Sequence, residues 1–480
     1  MKILLEQAQS LIDAVFWGSA KTPTHVRLRA YLFLTLFVIG IIYWIGFFSS
    51  GNLSLSANDW VKEDAYLNTL RFAQTNSTIP WQWSESFYHN TDKFLANPEI
   101  ILTPDIILLP WVSNGVFIII HVALFYAAGF WGSFLLAKKL NVSFLSFFFF
   151  WLLFNFNGHI SAQIAMGHFQ WAGYFLIPFF FIFLFKFTEN HQDRSSFNKS
   201  PVLGISLLFG ILFLNGSVHI AIICALFLIV TLLFKWTLYP NIISSIFIGF
   251  TLGLNRLLPA ALWFPSKDIF GQGYPTVIYL FDAFTALRAY SFTDFREYRV
   301  WGWWEYDFYI GFVSLIIFII SIAVIFRRGK VAFPSYLLKA AGIFLLLSLG
   351  NVYNIFNKLH LPLIGIERVP SRFLIMPFTF FLILSMIGID ELANSSEKWV
   401  KTLLVSAMPF AMGELFFHFE FWRVQIIELY SEKIEKPMLL LMPCSDQVYI
   451  TTVYASWIAS GMALILVIWF LLKKRTKTIG

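Results

Sequence analysis

The chain is broken into apolar runs about 20 residues long, the length a helix needs to cross a hydrocarbon core of roughly 30 Å. The clear runs are 30–49, 115–137, 218–236, 241–264, 308–326, 373–388 and 453–472. Shorter or polar-interrupted ones are 143–157, 169–187, 202–214, 335–350 and 400–417. The expected fold is therefore an all-α polytopic membrane protein of about 12 transmembrane helices, between 10 and 14, with helical outer loops. Ten-residue alternations that would mark a membrane barrel are missing from the pattern. Composition agrees: 58% of the 480 residues are hydrophobic, 57 are Phe, and only 13% are charged. A soluble domain carries about 25% charge. Cytosolic enzymes, secreted disulfide scaffolds and disordered chains are excluded. Cys224 and Cys444 are too few for a disulfide framework or a thiol metal site.

An even span count puts both termini on one side, and basic residues mark which. Assigning the N-terminus, 138–142, 186–201, 235–240, 327–339, 389–401 and 473–480 to the cytoplasm places 20 of the 34 Lys+Arg there, against 7 of the 27 Asp+Glu. The net charge of +7 is then an orientation signal, and no nucleic-acid partner is expected. The whole chain, 1–480, reads as one membrane domain. Residues 1–18 carry Glu6 and Asp13 and no cleavage site, so they read as a cytoplasmic amphipathic helix and not a signal peptide. The long segments 51–113, 265–307, 351–372 and 418–452 face outward. Their Trp60, Trp81, Trp83, Trp301, Trp303 and Trp304 read as an interfacial belt or as a platform for a sugar ring or lipid chain.

Polar residues in such a chain need a reason. Asp59, Glu63 and Asp64 stand just beyond the first span; on a helix, Asp59 and Glu63 share a face. Paired carboxylates there supply a general base or a seat for a divalent cation, Mg or Mn; a solvated acidic loop is the plainer reading. Asn155–Gln163 and Gly167–Gln170 bring His159, His168 and a polar stripe to the outer ends of two spans, as metal ligands, as hydrogen-bond partners of substrate or of the acidic loop, or as satisfied helix-end histidines. His219 lies at another outer turn. Arg256 interrupts the run 249–264, where it either meets a phosphate or snorkels to headgroups. Arg368 and Arg372 flank Pro370, which breaks the helix and suits them to a lipid phosphate or diphosphate. All of these lie on the outward side.

In this order the features resemble the GT-C superfamily of multi-span glycosyltransferases, in particular a bacterial YfhO-like branch. The resemblance rests on Glu63-Asp64, on Gly158-His159, on the aromatic span with Pro178, on Asp307-Phe308-Tyr309-Ile310-Gly311, and on Glu367 through Phe373. It covers residues 30–390. It implies transfer of a sugar from a polyprenyl-phosphate carrier on the outer face of a bacterial inner membrane. Asp59, or the Glu63-Asp64 pair, would be the base. His159, His168, His219, Arg256, Arg368 and Arg372 would hold substrate or phosphate. The bilayer and the lipid-linked sugar are then the partners, with membrane-protein partners also open. One departure is that the chain ends in a span, 453–472, where relatives carry a large outer domain. Two other classes remain: a flippase or transporter, which needs polar residues through the full membrane depth, and a non-catalytic GT-C-like subunit.

Overall fold

The computed structural model describes residues 16, 23–87, 91–189, 199–264, 273–288, 302–329, 334–358, 367, 369–395, 398–424 and 440–476. The expected amphipathic helix 1–18 lies outside these residues apart from Phe16. The protein is an all-α polytopic membrane protein. Seven helical stretches among the described residues are long and apolar enough to cross a membrane, an eighth is a bent pair, and four more are shorter apolar helices.

The first span is α1 (Pro23–Phe47). After the loop, with its helix α2 (Trp60–Thr75), come α3 (Asn114–Leu140), α4 (Phe144–Asn155) and α5 (Gly158–Ala165). Then follow a 3₁₀ segment, Phe169–Leu176, and α6 (Ile177–Glu189). All twelve residues of α4 are buried. A helix apolar on every side belongs at the centre of a bundle, and α4 sits there between α3, α15 and α16. The expected span 143–157 ends at Asn155 as a helix. With α5 it forms one apolar stretch, Phe144–Ala165.

Asn157 makes that junction. Its Oδ1 accepts from the backbone N–H of His159 and Ile160, capping α5. Its Nδ2 donates to the carbonyls of Leu153 and Phe154 and to the Tyr174 hydroxyl, so the same side chain closes α4. Gly158 follows because no side chain fits: a Cβ there would lie 1.8 Å from Asp307 Oδ1.

The second half comprises α7 (Lys199–Leu214), α8 (Val218–Phe234), α9 (Tyr239–Leu252), α10 (Leu254–Trp263), α11 (Val277–Thr285), α12 (Phe312–Arg327), α13 (Ser335–Leu347), α14 (Gly350–Lys358), α15 (Ile375–Ser395), α16 (Lys398–Trp422) and α17 (Gln447–Thr476). The expected straight span 241–264 is corrected: α9 and α10 meet at a bend of 74°. Gly253 sits at the bend, where a Cβ would press to 2.1 Å from the Phe213 ring. The segment 418–452 is also shorter than expected, since α16 runs to Trp422 and α17 starts at Gln447.

The loops form a packed cap. Strands β1 (Gln82–Trp83) and β2 (Leu441–Met442) pair antiparallel and tie the first loop to the last. The belt reading of the tryptophans is corrected for three of them. Trp60, Trp83 and Trp303 are buried in the cap, where Trp83 stacks on Tyr66 and donates to Thr69. Trp301 lies outside the described residues.

Candidate functional site

The site is built where α2 docks on the end of α5. Gly167 has φ +102°, a conformation that favours glycine, and a Cβ there would lie 2.5 Å from the Trp60 backbone nitrogen. The Asp59 N–H donates to the Met166 carbonyl and the Trp60 indole N–H to the Ala165 carbonyl. Asp59, at the start of α2, is thereby set against His168, 109 residues away in sequence.

From that contact a continuous polar relay crosses the underside of the cap. Lys62 Nζ lies 2.6 Å from Glu99 Oε2, 3.2 Å from Asp59 Oδ2 and 3.5 Å from Glu63 Oε1. Asp59 Oδ2 is 2.7 Å from His168 Nε2, and His168 Nδ1 is 2.7 Å from Gln163 Oε1. The Gln163 amide donates to Glu305 Oε2 at 2.9 Å and to the Trp304 carbonyl. Arg372 holds Glu305 with two parallel bonds, 2.9 and 2.6 Å, and reaches Glu367 Oε1 at 3.2 Å. Glu367 Oε2 ends the relay on His219 Nδ1 at 2.9 Å. Trp171 lies beneath the far end, with Arg372 over its face at 5.1 Å and His219 stacked on it.

The protons in this relay follow from its partners. Gln163 gives its N–H donors to a carboxylate and a carbonyl, so its oxygen faces His168 and the Nδ1–H donates to it. The short contact on the other ring nitrogen then needs one proton shared between His168 Nε2 and Asp59 Oδ2. Burial alone would raise the Asp59 pKa, but Lys62 and His168 outweigh it and hold the carboxyl well below the usual range. Three carboxylates converge on the single Lys62 ammonium, and the deepest keeps its proton: burial, helped by Glu99 and Asp59, pushes Glu63 up to about 8 against the pull of Lys62. Burial opposes ionisation of Glu367 too, yet His219 and Arg372 bring it down to about 2.

The expected site residues separate into groups. Asp59, His168, His219 and Arg372 share the relay. The Asp59 side chain is 33% exposed, His219 24%, Glu99 17% and His168 15%, so solvent reaches the relay at these members. Glu63 is buried beside Lys62, and Asp64 accepts from Asn68 and Asn114, which makes it a strut between α2 and α3. His159 is fully buried, stacked on Phe308, with neither ring nitrogen bonded, so it does not face substrate. Arg256 is corrected. The bend at Gly253 turns it inward, where its guanidinium donates to the carbonyls of Leu95, Asn97 and Ile100; it is buried and clamps the first loop instead of offering an open phosphate site. Arg372 is in place but already held by two carboxylates, so it organises the site. Arg368 lies outside the described residues. Lys62, Glu99, Gln163, Glu305 and Glu367 complete the relay without having been assigned roles from sequence. Gln163 and Glu367 fall within segments already noted for their polar residues, Lys62 stands beside the Asp59 and Glu63 carboxylates, and Glu305 is a charge within the aromatic run Trp303-Trp304-Glu305-Tyr306.

The expected Mg or Mn seat does not fit these residues. The Lys62 ammonium stands among Asp59, Glu63 and Glu99, where a divalent ion would be held. Among the described residues no three His, Cys, Asp or Glu are arranged to hold a metal ion.

Fold and site together define an all-α polytopic membrane protein with a polar relay under a folded cap. No protein-family model and no curated protein matches the chain. Among solved structures it is similar to the arabinofuranosyltransferase AftD from mycobacteria, at a TM-score of 0.48 and 15% identity. That likeness covers 83% of this chain and 27% of AftD, so the chain spans about a quarter of that protein's length.

Proposed function

We propose that this protein is an integral-membrane glycosyltransferase of the GT-C type, moving a sugar from a polyprenyl-phosphate carrier to an acceptor at the capped face. The observation that carries the reading is Asp59. Of the three carboxylates at the start of the first loop it alone keeps a partly exposed side chain, and it is ionised and oriented by Lys62 and His168. No comparison favours the YfhO-like branch, and the proposal stands at the level of the superfamily.

In this mechanism the acceptor oxygen attacks the anomeric carbon, the bond from that carbon to the carrier phosphate oxygen breaks, and the phosphate leaves with the electron pair. Asp59 takes the acceptor proton through the oxygen that Lys62 and His168 do not hold. Such a base contributes about 10²–10⁴-fold. The developing phosphate charge meets His219 at the open end of the relay, backed by Arg372. The capped face is the outer one, with both termini cytoplasmic, on the distribution of Lys and Arg among the loops.

The test is transfer from a panel of labelled polyprenyl-phosphate sugars by the purified protein in nanodiscs. Asp59→Asn should lose about 100-fold or more in rate at unchanged folding. Undiminished transfer by that variant would sink the assignment.

A further inference from the structure

A second site lies at the opposite end of the bundle. α1 runs into the first loop by its C-terminus and α3 leaves it by its N-terminus, so Arg29 and Lys138 mark the end away from the cap. Between the two helices there is an open groove of about 750 Å³. Its walls are apolar and aromatic, with Phe33 and Phe37 on α1 and Trp131 and Phe134 on α3. Trp131 is 55% exposed. The head of the groove is basic: Lys138 is exposed, and Arg29 donates to the Val142 carbonyl, which turns its guanidinium across the groove.

No Asp or Glu is among the described residues that line the groove. The charge of Arg29 is felt by Asp390, whose oxygens accept from the Ser143 N–H and the Ser146 hydroxyl at the start of α4. The last carbonyls of α3 are capped by the N–H of Asn141 in a left-handed turn. Length matches as well. From Val26 to Phe37 the α1 wall rises about 17 Å, one leaflet of a core roughly 30 Å thick.

We infer that this groove holds one anionic phospholipid, its phosphate between Arg29 and Lys138 and an acyl chain along the aromatic wall. Basic pockets between spans select anionic headgroups in this way. The inference is independent of the proposed transferase activity.

Native mass spectrometry of the full chain, extracted in mild detergent and exchanged with phosphatidylglycerol or phosphatidylcholine of identical chains, reads it directly. Two cations predict about a 30-fold preference for phosphatidylglycerol, and Lys138→Gln should reduce it about five-fold. Ala30→Trp fills the groove with both cations in place and should expel the lipid. Both substituted residues are exposed, so folding is spared, and an unchanged melting temperature verifies this. Equal retention of the two lipids, or retention that neither variant alters, overturns the inference. So does a protein dimer that Ala30→Trp dissolves, since the face would then join two copies of the chain.

Discussion

At the scale of single residues the proposed chemistry turns on which of three neighbouring carboxylates keeps its charge. Lys62 and His168 stabilise the anion of Asp59, whereas burial costs Glu63 its ionisation. The consequences differ in sign. Glu63 has a pKa raised from 4.5 to about 8, so between those values the folded protein binds more protons than the unfolded chain and stability falls as pH rises. Glu63→Gln should flatten the decline in melting temperature from about pH 5 to pH 8; an unaltered pH profile would argue against a buried protonated Glu63. Glu367, brought down to about 2, acts oppositely. Its contribution is present above pH 4.5 and is lost as pH falls from there toward 2, so Glu367→Gln should narrow the difference in stability between pH 6 and pH 3. Because Lys62 stands where a divalent ion would be held, transfer should survive EDTA unchanged, while Lys62→Met should abolish it. Loss of activity with EDTA, restored by Mg or Mn, would overturn that arrangement.

At the scale of elements the site depends on two close approaches that only glycine permits. Gly158 lets the second loop press Asp307 onto the start of α5, and Gly167 lets the start of α2 reach the end of it. Gly167→Ala combines a left-handed backbone with a backbone clash, so it should cost about 1–3 kcal/mol and separate Asp59 from His168. The expected signature is a lower melting temperature together with a rate close to that of Asp59→Asn. Full transfer by Gly167→Ala would show that the α2–α5 contact is dispensable. The spans themselves were largely legible: nearly every run read from the sequence corresponds to a helix, because apolar length is a local property. The breaks were not. Nothing local to 241–264 announces a bend, since Gly253 is needed for its contact with Phe213, a residue of another helix. Arg256 was misjudged for the same reason, its carbonyl partners lying some 160 residues away in sequence.

At the scale of the whole molecule the two cysteines report orientation. Cys224 is buried in α8, whereas Cys444 is partly exposed in the cap, 3.5 Å from Lys93 Nζ. With the cap outward, a membrane-impermeant maleimide should label intact cells at Cys444, and Cys444→Ser should remove the label. Labelling only after permeabilisation would invert the topology. The sequence by itself determined the solvent and the secondary structure: long apolar runs leave helices as the only way to satisfy backbone polar groups in lipid. It also brought Asp59, His168, His219 and Arg372 to notice, because polar groups beside apolar runs are expensive wherever they occur. Only the tertiary structure decided what each does. A carboxylate's proton depends on the cations packed against it, and here those cations arrive from other segments. Asp59 meets His168 across 109 residues, and Glu305 meets Arg372 across 67, through packing that no local pattern encodes.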